Sequence, residues 1–155
     1  MQPRVTAVLI ARNGAQYLPS TLAALAAQTR RPDTVVPVDV SSTDLSPELM
    51  LKAYPGELVR TPGRSTFGGA LSHALASVPS TGDDEWLWLL GHDNAPAPGA
   101  LSALLGAVEV APSVAVAGRA CQASPCTRIQ TAAASIASTV PAAPTSSSRP
   151  LTIGR

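Results

Sequence analysis

Charged side chains are scarce in this chain. Only 14% of its 155 residues are Asp, Glu, Lys or Arg, against about a quarter in ordinary globular domains. With a formal net charge of +1 there is no basic stripe of the kind that neutralises nucleic-acid phosphates. The hydrophobic share of 45% excludes a chain that is disordered throughout, because disorder needs low hydrophobicity and high net charge. Cysteine is limited to Cys121 and Cys126. One pair is no disulfide framework, and with no His or further Cys beside it a metal site is not expected, so a reducing cytoplasmic setting is the expectation. No apolar run approaches the ~20 residues of a membrane span. Residues 5–11 after Arg4 sit at the short limit of a secretory signal, and Arg12 ends them at once, so export is not expected. The length suggests one domain.

Charge and composition divide the chain at residue 118. Residues 1–118 hold all ten acidic residues and seven of the eleven basic ones, whereas residues 119–155 hold four Arg and no acid. That second stretch is built of Ala, Ser, Thr and Pro, with Ile129, Ile136, Val140, Leu151 and Ile153 as its anchoring apolar residues. It offers too little burial to offset the entropy of ordering it. It reads as a disordered tail, with at most a short helix near residues 130–138.

The first stretch alternates apolar runs with helical periodicity. Residues 5–10 form a nearly continuous apolar run, as a strand buried on both faces requires. After Asn13-Gly14, Tyr17, Leu18, Leu22, Leu25 and Ala26 follow helical spacing, and Arg30-Arg31-Pro32 is the expected close of that helix. A strand over 34–39 precedes Ser42-Thr43-Asp44 and Ser46-Pro47-Glu48, which carry capping residues and a proline suited to a helix start. Further strands are predicted at 57–60, 85–90 and 113–117, and helices at 67–78 and 98–109. Strands alternating with helices mean parallel pairing in a layered α/β sheet. Ligands of such sheets bind outside the carboxyl ends of the strands.

At those ends stand Arg12-Asn13-Gly14, then Asp39 with Ser42-Thr43-Asp44, then Gly91-His92-Asp93-Asn94. Two carboxylates, Asp39 and Asp93, are thereby expected in one crevice near Arg12. The structural alternatives are a helix cap for Asp39 and a turn before Pro96 for Asp93. Other nucleotide folds are excluded. The turn after the first strand lacks G-x-G-x-x-G, the single lysine Lys52 lies in no P-loop, and no G-x-S-x-G elbow exists.

Residues 5–13, Tyr17-Leu18, Thr21-Leu22, Leu25, Ala27-Gln28-Thr29 and Pro32-Asp33 resemble the opening of a family 2 glycosyltransferase of the GT-A fold. Val35-Val36-Pro37-Val38-Asp39 with Ser42-Thr43-Asp44 is similar to that family's V-V-D-x-x-S-T-D segment. Trp86-Leu87-Trp88-Leu89-Leu90 with His92-Asp93-Asn94-Ala95-Pro96 resembles its strand before the metal-binding acids, especially in actinobacterial members. The resemblance covers residues 4–118, the nucleotide-sugar-binding N-terminal half.

It implies a Rossmann-like, mostly parallel sheet with flanking helices that binds a nucleotide-diphospho-sugar and transfers the sugar to an acceptor hydroxyl. Asp39 would contact the base or ribose, and Asp93 would hold Mg²⁺ or Mn²⁺ against the diphosphate, with His92 as a further candidate ligand. Arg12 would lie beside the phosphates, Asn13 would be a further nucleotide-sugar-binding residue, and Gly69 would offer a backbone N–H at a helix start. Hard oxygen ligands suit such an ion, yet only one carboxylate stands where the family carries two or three, and Val40 occupies a position often acidic. The general base is expected beyond the strand at 113–117, and nothing acidic follows Glu109. The catalytic residues are therefore unassigned, and the change at Arg119 suggests a truncated or frameshifted, weakly active chain. The rival readings are a live enzyme whose acceptor half is supplied by a partner chain or another copy, and a non-catalytic module that binds a nucleotide or a partner. A cytoplasmic location, a membrane-associated acceptor in cell-wall polysaccharide synthesis and self-association through an uncovered sheet complete the expectations.

Overall fold

The computed structural model describes residues 3–78, 85–110, 116–119 and 129–132. Their elements run β1 (Arg4–Ala11), α1 (Leu18–Ala26), β2 (Thr34–Val40), α2 (Ser46–Ala53), β3 (Val59–Thr61), α3 (Phe67–Leu75), β4 (Glu85–Gly91), α4 (Ala100–Glu109), β5 (Val116–Arg119) and β6 (Ile129–Ala132). The first four strands form one sheet in the order β3-β2-β1-β4, all parallel. β1 lies at its centre, which is why its apolar run is unbroken: residues 5–11 are all buried. Pro37 lies in β2 in register with Leu9 of β1, one residue before pairing with β3 begins at Val38.

Side-chain alternation assigns the two faces. Ala7, Leu9 and Ala11 of β1 and Leu90 of β4 pack with Leu18 and Leu25 of α1 and Met50 of α2. Val8 and Ile10 face the other way, and with Val36, Val38 and Val40 they meet Ala70 and Ala74 of α3. The small residues of α3 let it approach the sheet closely. On β4, Leu87 and Leu89 remain 45% and 43% exposed. No helix among the described residues is long and apolar enough to cross a membrane.

Several local expectations are corrected. α1 ends at Ala26, with no basic residue in its last turn. Arg30 lies beyond the helix and pairs with Asp33 at 2.7 Å, and Asp33 in turn accepts the Val5 N–H at 2.8 Å. α2 carries Pro47 near its start but no side-chain cap at its N-cap, Leu45. The predicted strand at 113–117 is observed at Val116–Arg119, and it pairs antiparallel with β6 instead of joining the parallel sheet. β6 occupies Ile129–Ala132, where at most a helix near 130–138 was expected. The remaining tail residues lie outside the described ones.

Candidate functional site

The site is built where β1 and β2 end side by side, with Ala11 and Asp39 paired in register. Two residues beyond each, Asn13 (φ 48°) and Ser41 (φ 47°) adopt left-handed backbone. That conformation costs about 1–2 kcal/mol for most side chains, less for Asn, and it persists only where surrounding contacts enforce it. The contacts are evident. The Asn13 N–H donates to Ser42 Oγ at 2.9 Å, and Asn13 Oδ1 accepts the Thr43 N–H at 2.8 Å. The Gly14 N–H donates to Ser46 Oγ at 2.8 Å and the Ala15 N–H to Asp44 Oδ2 at 2.9 Å. Asp44 Oδ1 takes the Ser46 N–H at 3.0 Å. The two loops are thereby joined by hydrogen bonds running in both directions, with three N–H groups donating from the first loop and one from the second. Hydrogen bonding from the Ser46 side chain, then from the Ala15 and Ser46 N–H groups, holds the Asp44 carboxyl below the usual carboxylate range.

Asp39 is buried, 3% exposed, at the end of β2. Among the described residues its carboxylate receives one N–H, that of Ser42, shared between its two oxygens at 3.3 Å each. The left-handed Ser41 turns that N–H back toward it. Ser41 is itself tied to β3 by a 2.9 Å bond from its hydroxyl to the Thr61 carbonyl. A carboxylate has about four acceptor positions, so most of this one's capacity is left for another donor.

After β4, residues 91–94 form a turn closed by the Asn94 N–H on the Gly91 carbonyl at 3.1 Å. The His92 ring lies over Gly14: a Cβ added there would fall 2.5 Å from its Cγ and Cδ2. It also meets the Tyr17 ring, with centroids 6.2 Å apart. Asp93 folds back over Gly91, where an added Cβ would lie 2.9 Å from Oδ1. Glycine at both positions is thus explained by close approach.

Between this turn, the end of β1 and the start of α3 lies a cavity of about 410 Å³. Ile10, Val40, Leu89 and Phe67 give it an apolar floor, and Arg12, Ser65, His92, Asp93 and Asn94 give it polar walls. Among the described residues Arg12 makes no salt bridge. The structure therefore brings Arg12, His92 and Asp93 together. It does not bring Asp39 into their cavity, so the two carboxylates expected in one crevice are separated: Asp39 is taken into the turn behind Ser42, while Asp93 is exposed. Asn13 is committed to joining the loops. The Gly69 N–H is likewise engaged, donating to Thr66 Oγ1, the α3 N-cap, at 3.1 Å. Neither Asn13 nor Gly69 lines the cavity.

Among the described residues no group of three or more His, Cys, Asp or Glu side chains is placed to hold a metal ion. The donor set fits a divalent ion only where a ligand's own oxygens complete the shell, as hard, partly hydrated ions allow.

Phe67 and Ser65 were not singled out from the sequence as site residues, and Asn94 was noted only as part of the turn after the strand at 85–90. Phe67 had a signal, as the chain's single phenylalanine placed at a helix start.

The Glycosyl transferase family 2 model matches residues 6–139, reaching past residue 118 through β6. A search of curated proteins finds no match. Among solved structures, the fold is similar to S. aureus TarS residues 1–349 in complex with UDP, with a TM-score of 0.53 and 21% identity over 69% of this chain and 32% of that one. The UDP-GlcNAc complex of the same fragment gives a TM-score of 0.52 at 21% identity over 69% and 31%. For TarS as a whole the score is 0.52 at 21% identity, over 69% and 20%. The chain thus spans about a third or less of the length of these structures, and at this identity the likeness shows the fold, a mostly parallel GT-A sheet with flanking helices. On a family match that spans most of its length, the chain belongs to glycosyl transferase family 2.

Proposed function

We propose that this chain binds a nucleotide-diphospho-sugar at the carboxyl ends of β1, β2 and β4, and that the bound sugar is destined for an acceptor hydroxyl. The observation that carries this reading is the cavity itself. A guanidinium with no salt bridge among the described residues and an exposed carboxylate face one apolar-floored hollow at the end of the sheet where α/β ligands bind. UDP and UDP-GlcNAc in the TarS complexes support a nucleotide of this class.

Arg12 would meet the negative charge of the diphosphate. Asp39, with spare acceptor capacity next door, would take an N–H or O–H from the base or ribose. Asn13 and the Gly69 segment would support the nucleotide through the loops they fix. Asp93 would hold Mg²⁺ or Mn²⁺ together with the diphosphate oxygens, with His92 beside it. When bound, such an ion offsets charge growing on the leaving diphosphate.

A second reading is favoured by a specific observation. Asp93 is the single carboxylate lining the cavity among the described residues. If Asp93 serves the metal, no second carboxylate is there to act as general base for the acceptor. The chain alone would then bind without transfer, or transfer weakly. The proposal extends to a cytoplasmic chain, consistent with its low cysteine content, and to a membrane-associated acceptor. The exposed Leu87 and Leu89 of β4 support self-association.

Calorimetric titration with UDP, GDP and dTDP, with and without Mn²⁺, tests the binding reading. Saturable binding of at least one nucleotide, tightened by Mn²⁺, is expected. A flat titration for all three overturns it. A sugar-transfer assay on the same chain separates the two readings.

A further inference from the structure

α1 and the two residues after it present a stripe of residues 18, 21, 25 and 28 to the protein interior, with spacings of three, four and three. Leu18 and Leu25 are the apolar members, as an amphipathic helix requires. Thr21 and Gln28 interrupt them, although they are only 1% and 4% exposed. Buried polar groups must find partners, and both find theirs in one segment. Thr21 Oγ1 donates to the His92 carbonyl at 2.7 Å. Gln28 Nε2 donates to the Ala97 carbonyl at 2.7 Å, and also approaches the Pro96 carbonyl at 3.4 Å and the Ala24 carbonyl at 3.1 Å. Gln28 Oε1 accepts the Leu101 N–H at 3.2 Å, in the first turn of α4. The Thr29 N–H adds a 2.8 Å bond to the Pro98 carbonyl.

The segment from His92 to Leu101 is therefore fastened at both ends to α1 and the residues that directly follow it, and the residues between the fastenings, 93–95, are exposed. Asp93 follows the first fastening by one residue. Resting on the nucleotide-sugar reading above, we infer that Thr21 and Gln28 are positioning residues. They hold the turn after β4 at a fixed height above the sheet, so that Asp93 meets the ligand's phosphate end without first paying to order its loop. Neither side chain lines the cavity, so each acts through the backbone it fixes.

The test is a double-variant cycle read by UDP binding with Mn²⁺. Gln28→Leu keeps the bulk and removes every polar contact, and Thr21→Val is nearly isosteric. Each is expected to weaken Mn²⁺-dependent UDP binding by on the order of tenfold, as loss of a group supporting a metal ligand does. The metal-free affinity should change little. Thr21→Ser, which keeps the hydroxyl, is expected to restore binding. In an Asp93→Ala background, Gln28→Leu should produce almost no further loss, because the group it positions is gone. An equal loss in both backgrounds would show a merely structural role and overturn the inference.

If the unaltered chain binds no UDP, the nucleotide reading fails and amide exchange decides the inference by itself. Faster exchange at Asn94 in Gln28→Leu, with α1 amides still protected, supports the fastening. Unchanged exchange at Asn94 overturns it.

Discussion

Gly14→Ala is the sharpest probe of how the site is assembled. Gly14 has no left-handed backbone angle, so alanine is conformationally acceptable there and would by itself stabilise by about 0.4–1 kcal/mol through the unfolded chain. The steric term opposes this. The new methyl would lie 2.5 Å from His92 Cγ and Cδ2 and 2.7 Å from His92 Cβ, distances at which something must move. Both sides are fastened. The Gly14 N–H is held by Ser46 Oγ at 2.8 Å and its carbonyl accepts from the Tyr17 and Leu18 N–H groups at 2.9 Å each. The His92 carbonyl is held by Thr21. Forcing a methyl into a fixed contact costs about 1–3 kcal/mol, leaving a net destabilisation of about 1–2 kcal/mol. For a domain of this size that lowers Tm by roughly 3–8 °C. Thermal melts followed by circular dichroism measure it, and a companion series identifies the cause. His92→Ala removes the two ring contacts but leaves Cβ, whereas His92→Gly removes all three. The cost of Gly14→Ala should therefore shrink stepwise across these backgrounds. A Gly14→Ala chain that melts with the original protein, or one whose penalty persists undiminished in His92→Gly, would refute the packing argument.

Three other outcomes follow from the same geometry. Thr66→Ala removes the acceptor for the Gly69 N–H at the start of α3, and denaturant unfolding should show a loss of about 1 kcal/mol, recovered by Thr66→Ser. Asp33 is held below the usual carboxylate range chiefly by its hydrogen bond from Arg30 and also by the Val5 N–H. Its stabilisation is therefore complete above the unfolded carboxyl value of about 3.9 and is lost as pH falls through the lower folded value. The step is small because the Asp33 side chain is 38% exposed, and Asp33→Asn should remove it from a stability-against-pH curve. Gly91→Ala sets a methyl 2.9 Å from Asp93 Oδ1 and 3.2 Å from Asn94 Nδ2. It should weaken Mn²⁺-dependent nucleotide binding more than metal-free binding, as read by calorimetry.

The parallel sheet was legible because its signals are local and redundant. The unbroken apolar run of β1 and the helical spacing of Leu18, Leu22 and Leu25 each permit one element, and alternation then dictates topology. The positions of Arg12 and Asp93 followed, since strand ends in such a sheet are ligand ends. The placement of Asp39 was not legible in full. Whether a carboxylate at a strand end opens into a cavity or folds into the next turn depends on Ser41, whose left-handed angle no composition signals. The scaffold hydrogen bonds of Asn13 and Gly69 were hidden for a similar reason. Each is well placed in sequence for a ligand, yet each spends its hydrogen bond on the scaffold. Thr21 and Gln28 did leave a trace, as polar residues at helical spacing within an apolar stripe, but their partners lie about seventy residues downstream. Long-range pairings of that kind have no local signature. β6 was hidden because its Ile-Gln-Thr-Ala segment lies in a stretch rich in small residues, where composition argued against any regular element.

The central claim is that Arg12 and Asp93 in the cavity, with Asp39 beside it, grip an activated nucleotide. Isothermal titration of the chain with its preferred nucleoside diphosphate and Mn²⁺, repeated on Asp93→Ala and Asp39→Ala, tests this most directly. The account predicts saturable binding that Asp93→Ala reduces to its metal-free level and Asp39→Ala weakens with or without the metal. Binding unaltered by both substitutions would contradict it.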